Sequence, residues 1–229
     1  MKRLVILGAS GMVGGAALRY ALQIPGVERV TSIGRRKIGF AHPKVTEVIH
    51  TTFTDCAPLE GVLANQDAAI FCLGTYTGAV SDTALRRVTV DYTVEFARVL
   101  RRASPNAGFT FLSGTGADPA GRSRIAFARY KGAAERALAG AGFPHLYIFR
   151  PAYIYPVEPR VEPTFGYRLL RLAYPAFRKI FPNLVIRSDD LARVMVDVSV
   201  FETTDGPSLT FENRDILIMA ESSVQPDPA

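Results

Sequence analysis

The 229-residue chain is poor in cysteine and histidine and has no long run of one character. Two cysteines, Cys56 and Cys72, are too few for a disulfide framework. Cys72 lies in an apolar run and reads as a small buried filler. The three histidines, His42, His50 and His145, are dispersed without ligand spacing, so no metal site is expected. No apolar stretch is long enough to span a bilayer. Lys2-Arg3 leads into too short an apolar run for a secretory leader, which points to a cytoplasmic protein. Like-charge runs are equally short, such as Arg35-Arg36-Lys37 and Arg101-Arg102. The formal charge of +6 is therefore scattered, not gathered into the face or stripe that nucleic acid requires. An anionic small ligand accounts for the excess equally well, and nucleic acid is not expected as the ligand. There is no internal repeat and no low-complexity linker. With 48% apolar and 21% charged residues, the chain has the composition of an ordinary globular protein.

What is present is an alternation of short apolar runs and helical periods. Strands are predicted at 3–7, 29–33, 45–49, 68–73, 109–112 and 145–149. Helices are predicted from Gly14 to Leu22, from Ser81-Asp82 through Arg101, and from Arg124 to Leu138, the last closed by Gly140 and Gly142. Pro25-Gly26 ends the first helix. Such alternation implies a parallel sheet covered by helices on both faces. The rhythm breaks at 151–187, where prolines precede a basic and aromatic stretch at 164–181. Phe165, Leu169, Leu172, Ala176 and Ile180 share one helical face there. The segment reads as a lid helix on the substrate side, or as a surface for a partner or a membrane, although Pro175 weakens the second reading. The chain is expected to form one domain over 1–219, with a loose tail at 220–229.

The motif with chemical content is Gly8-Ala9-Ser10-Gly11-Met12-Val13-Gly14, set between the first strand and the first helix. Gly8 permits a tight turn, Gly11 lets the backbone approach a pyrophosphate, and Gly14 lets the helix pack against the strand. Free N–H groups and the helix dipole then favour the anion. The position of the triplet, strand before and helix after, makes it a dinucleotide-binding signature. The fold class is accordingly α/β, a doubly wound parallel sheet of the Rossmann type. At the end of the second strand an NAD-selective site carries an acidic residue. Here Ile33-Gly34 is followed by Arg35 and Arg36, which can meet a 2′-phosphate. One charge-assisted bond contributes ~1.5–3 kcal/mol, or roughly 10–150-fold in affinity, enough to set a preference for NADP(H) over NAD(H). Leu73, Gly74 and Thr75 after the fourth strand are expected along the cofactor, and Thr52 or Asp55 near its adenine.

These motifs, with Leu112-Ser113-Gly114, Lys131-Gly132, Phe149-Arg150-Pro151 and Ser188-Asp189-Asp190-Leu191-Ala192, resemble the short-chain dehydrogenase/reductase superfamily. The resemblance runs from Met1 to about Val200 and is closest to the atypical, Tat-interactive-protein oxidoreductase-like branch. It implies that Ser10, Met12, Val13 and Pro151 also contact the cofactor. It further implies a serine that orients the substrate carbonyl, a lysine that holds the nicotinamide ribose, and a tyrosine four residues before that lysine as proton donor. Ser113 matches the serine and Lys131 the lysine, but the tyrosine position is Phe127. A positioned general acid contributes a ~10²–10⁴-fold factor that a phenyl ring cannot supply. Tyr130 points away from the Lys131 direction, while Tyr76, Tyr153 and Tyr155 are further candidates. Two readings stay open: an unusual oxidoreductase of a small carbonyl-type substrate, and a non-catalytic NADP(H)-binding sensor or docking protein.

Overall fold

Residues 1–75, 80–158, 180–201 and 208–222 are described in the structure, a computed structural model. The first apolar run is strand β1 (Lys2–Leu7), whose last four residues are fully buried. Alternate side chains of β1 enter different cores. Leu4 and Ile6 pack with Leu18 and Ala21 of helix α1 (Met12–Gln23). Val5 and Leu7 pack on the opposite face with Phe96, Leu100 and Leu138. A strand apolar on both faces requires cover on both, which is the reason this sheet is sandwiched between helices.

The chain continues through β2 (Val27–Gly34), β3 (Val45–Ile49), the short helix α2 (Glu60–Leu63) and β4 (Ala68–Phe71). Helix α3 (Asp82–Arg86) runs through a π-turn (Arg87–Asp91) into α4 (Tyr92–Ala103). This is the long helix predicted from Ser81-Asp82, and the Ser81 hydroxyl accepts the Ala84 N–H at its start. Strand β5 (Gly108–Leu112), helix α5 (Ala126–Ala139) and β6 (Leu146–Arg150) follow. The seven-stranded sheet has the order β3-β2-β1-β4-β5-β6-β9, and every pairing is parallel. The order reverses between β1 and β4, and ligands of open α/β sheets bind at such a switch point.

Five elements were not anticipated, the short helix α2 among them. Strands β7 (Tyr153–Tyr155) and β8 (Val185–Arg187) form a separate two-stranded parallel sheet, bracketing the segment read as a lid. Three residues each are too few to carry a period. Strand β9 (Ser208–Glu212) adds the seventh strand, beside β6. Helix α7 (Asn213–Ser222) carries order past the expected tail boundary at 220, with Ile216 and Ala220 buried. Helix α6 (Ser188–Phe201) begins with the Ser188-Asp189-Asp190-Leu191-Ala192 motif and packs on α1. The helix expected at 164–181 lies, but for its last two residues, outside the described residues.

Gly132 fixes how α5 meets the loop after β5. A Cβ there would stand 2.0 Å from the carbonyl carbon of Asp118 and 2.4 Å from Pro119 N. Asp118 N also donates to Ala128 O at 2.9 Å. Gly132→Ala should therefore destabilise the fold by about 1–3 kcal/mol through overpacking against backbone. Gly61→Ala on α2, where a Cβ would meet nothing within 4 Å, should be neutral or slightly stabilising. Urea midpoints of the two variants check this, and equal stability would refute the close-packing account.

Candidate functional site

The glycine turn sits at the switch point. Gly8 has φ +80°, open to glycine, and a Cβ there would stand 3.0 Å from the Cys72 carbonyl oxygen at the end of β4. Gly8 N donates to Ile33 O and Gly11 N to Gly8 O, which closes the turn. A Cβ on Gly14 would lie 2.4 Å from Gly8 O, so only glycine lets α1 approach this closely. Gly11 is the N-cap of α1. No side chain caps the helix and no acidic residue occupies its first turn. The Met12 and Val13 amides have no intrahelical carbonyl to donate to. Exposed Ser10 and Gly11 leave this positive end accessible. A backbone cradle that a Cβ would fill, with uncapped amides, fits a diphosphate.

Across from it, Arg35 and Arg36 are exposed at the end of β2, and neither has an ion pair among the described residues. Arg36, Ser10, Gly11 and Met12 line one cleft of about 750 Å³, which continues along α1 to the start of α6. Arg35 does not line it. Leu73 packs on the core, Gly74 is exposed with open space where a Cβ would project, and Thr75 is half-buried. Thr52 and Asp55 are exposed, and the Asp55 carboxylate accepts the Ala57 N–H, capping its own turn. Ser113 and Lys131 do not line the cleft.

The end of β5 holds the second cluster. Ser113 is 6% exposed and its N–H donates to Phe149 O at 2.8 Å. Pro151 is buried, and its carbonyl accepts the Thr115 N–H at 2.9 Å. Lys131 is buried on α5 and donates through Nζ to Leu112 O at 2.6 Å, 4.7 Å above the Phe111 ring. Burial pushes its ammonium down to about 8, against the opposing pull of the Glu135 carboxylate. The Cys72 thiol beside it is pushed up to about 12 by burial, so it stays protonated and unreactive at neutral pH. Phe127 lies against the turn after Ser113. A Cβ on Gly114 would stand 2.8 Å from Phe127 Cζ, so the glycine makes room for the ring. Tyr130 points elsewhere, its hydroxyl donating to Asp82 Oδ2 at 2.6 Å. Tyr153 and Tyr155 are half-buried in β7, and Tyr76 lies outside the described residues.

Glu135 was missed by the sequence reading. It is 2% exposed, one helical turn beyond Lys131. Its Oε1 accepts the Ser113 hydroxyl at 2.5 Å and Arg150 Nε at 3.0 Å, and its Oε2 accepts Arg150 Nη2 at 2.5 Å. Arg150 Nη1 donates onward to Glu212 at 2.9 Å. The available signal was a glutamate at i+4 from the lysine on a helix face otherwise filled by Ala128, Ala134 and Leu138. The Ser113 hydroxyl thus points inward, toward Glu135.

No protein-family model matches the sequence. Protein HTATIP2 of Rattus norvegicus is 31% identical over 156 residues, 67% of this chain and 63% of that protein, so the match spans less than two thirds of the relative. The mitochondrial protein FMP52 of Saccharomyces cerevisiae is 24% identical over 228 residues, 95% of this chain and 96% of that one. Among solved structures, the Bordetella bronchiseptica enzyme WbmF in complex with NAD+ superposes with a TM-score of 0.69 at 16% identity, covering 96% of this chain and 78% of that one. A UDP-N-acetylglucosamine 4-epimerase from Methanobrevibacter ruminantium does so at 0.69 and 16%, covering 92% and 76%. These likenesses establish the fold. No helix among the described residues is long and apolar enough to cross a membrane.

The buried lysine predicts a distinct titration. With ¹³Cε-labelled lysine, the Lys131 resonance should titrate near pH 8. Because the unfolded chain titrates near 10.5, the cost of the buried ammonium is fully present below pH 8 and fades as pH rises toward 10.5. A midpoint for Lys131 at the ordinary value would refute the burial argument.

Proposed function

This chain belongs to the NAD(P)-binding short-chain dehydrogenase/reductase superfamily, and from that premise we propose that it binds NADP(H) in preference to NAD(H) and acts as an unusual oxidoreductase on a small carbonyl-type substrate. The observation that carries the binding half is the turn at the switch point, where a Gly14 Cβ would strike Gly8 O at 2.4 Å and the first amides of α1 stand uncapped. Arg36 shares a cleft with Ser10 and Gly11, which supports a phosphate on the adenosine side of that turn. Arg35 contributes charge from the adjacent exposed position.

When bound, the nicotinamide supplies or takes the hydride. In this reading Lys131, Pro151, Leu73, Gly74 and Thr75 would hold it. Lys131 holds the ribose through an ammonium that keeps N–H groups beyond the one given to Leu112 O. Ser113 sets the substrate oxygen, and Glu135 holds Ser113 in place. No phenol reaches the site from position 127, so proton transfer at the substrate oxygen is slow.

A second reading, a non-catalytic NADP(H) sensor or docking protein, is favoured by the Phe127 ring seated against Gly114 where a tyrosine would bring its hydroxyl. Phe127→Tyr separates the two. On a panel of aldehydes, ketones and quinones it should raise the rate of NADPH oxidation by about tenfold or more. No gain on any substrate would favour the sensor. For the cofactor, Arg35→Ala with Arg36→Ala should weaken NADPH about tenfold or more relative to NADH by calorimetry. Equal losses for both coenzymes would reject the reading of the arginines.

A further inference from the structure

We propose that Glu135 makes the Ser113 hydroxyl a hydrogen-bond acceptor, so that the site takes a ligand through a donor, an alcohol or other hydroxyl, in preference to a carbonyl. The proposal rests on the reading above for the coenzyme-bound case and names the alcohol, the reduced partner of the carbonyl-type substrate, as the form that Ser113 recognises.

The argument is one of hydrogen-bond inventory. Both oxygens of Glu135 are gripped by Arg150, at 3.0 and 2.5 Å, which holds the group as a carboxylate. A carboxylate only accepts, so the hydrogen in the 2.5 Å contact belongs to Ser113. A hydroxyl has one hydrogen and two lone pairs, and what remains on Ser113 is lone-pair capacity. Turning that hydrogen toward a carbonyl would strip a donor from a carboxylate that is 2% exposed, where lost hydrogen bonds are most costly. The Ser113 amide is spent on Phe149 O, and Phe127 brings no hydroxyl. A ketone oxygen approaching Ser113 therefore faces lone pairs, and an alcohol O–H finds an acceptor.

Glu135 is in these terms a positioning residue, acting through Ser113. The competing account is that it only ties α5 to β6 and β9 through Arg150 and Glu212. That account gives no reason for ligand preference to change when the carboxylate becomes an amide.

The experiment uses the full ¹⁵N-labelled chain. NADP+ is added first, and the amides of Gly11 to Gly14 report its binding; their silence would sink the coenzyme reading and leave the present proposal to the free protein. Cyclohexanol and cyclohexanone are then titrated, with and without NADP+, following the Ser113 and Gly114 amides. In the wild type the alcohol should bind about 2- to 10-fold tighter, the range of one neutral hydrogen bond. Ser113→Ala should bring the ratio near one. Glu135→Gln should lower it toward one, because an amide nitrogen turned to Ser113 donates to its oxygen and frees the hydroxyl hydrogen, at the cost of the Arg150 Nε bond made there in the wild type. The Ser113 hydroxyl proton should also resonate downfield in the wild type and vanish in Ser113→Ala. If Glu135→Gln does not fold, the wild-type ratio, its loss in Ser113→Ala and the proton signal decide. Equal or tighter ketone binding in the wild type, no detectable alcohol binding, or a ratio indifferent to either substitution overturns the proposal.

Discussion

The geometry of the whole molecule hangs on how near α1 comes to the carbonyl of Gly8. A methyl group at position 14 would be 2.4 Å from that oxygen, so any other residue would lever the helix away from the strand. Its proximity has two effects. It aims the uncapped first turn of α1 at the gap between β1 and β4, and it lowers α1 onto α6. There Tyr20 donates to Asp197 at 2.9 Å, and burial followed by this bond pushes the phenol up to about 12. A displaced α1 would spoil the anion cradle and one of the two cores together. Binding geometry and stability therefore share one contact.

A second constraint operates at the other end of the sheet. Glu135 joins α5 to the turn after β5 and, through Arg150 and Glu212, to β6 and β9. A buried ion pair gives little net stability when intact, but removal of one partner leaves a charge stranded and costs about 3–5 kcal/mol. This pair is fully engaged: the carboxylate accepts three bonds, and the guanidinium is held well above its ordinary range, chiefly by Glu135. The same carboxylate keeps the Lys131 ammonium from falling further. Ser113 and Lys131 thus answer to one residue that touches neither face of the glycine turn.

The sequence made the first six strands readable because each carries apolar residues in a short run bounded by glycine, proline or a polar turn. β3 falls on its expected residues 45–49, and β2 and β5 extend by only one or two residues beyond theirs. The glycine spacing was legible because backbone proximity leaves a mark in sequence: only glycine fits. β7 and β8 were not legible, since three residues show no period. β9 was: Ser208-Leu209-Thr210-Phe211-Glu212 alternates polar and apolar as a strand should, and Phe211 is the buried residue. Glu135 was hidden for a different reason. A buried glutamate looks like any solvent-facing helix glutamate until its partner is known, and Arg150 lies 15 residues away on another element. Resemblance supplied Ser113 and Lys131; no resemblance supplies the direction of a hydroxyl hydrogen, which depends on the third residue.

Phe127 divides the molecule's two capacities along a physical line. In the proposed reading, anion binding at the first crossover would rely on backbone amides, glycines and exposed arginines, none of which touches position 127. The proposed chemistry at the end of β5 would rely on side-chain hydrogens, and there the ring contributes none. If packing alone governed that end, Lys131 would be an odd occupant, because a buried ammonium is costly and an apolar chain of similar length would fill the space without it. It is retained against that cost by a carbonyl at 2.6 Å, a ring face at 4.7 Å and the Glu135 charge. Three compensating groups around one charge, beside a serine whose hydrogen is also fixed, describe a region organised around polar atoms and not around a core. Phe127 fills the missing phenol's place without disturbing that organisation, so what it removes is a proton donor and what it leaves is a preorganised pair of polar groups.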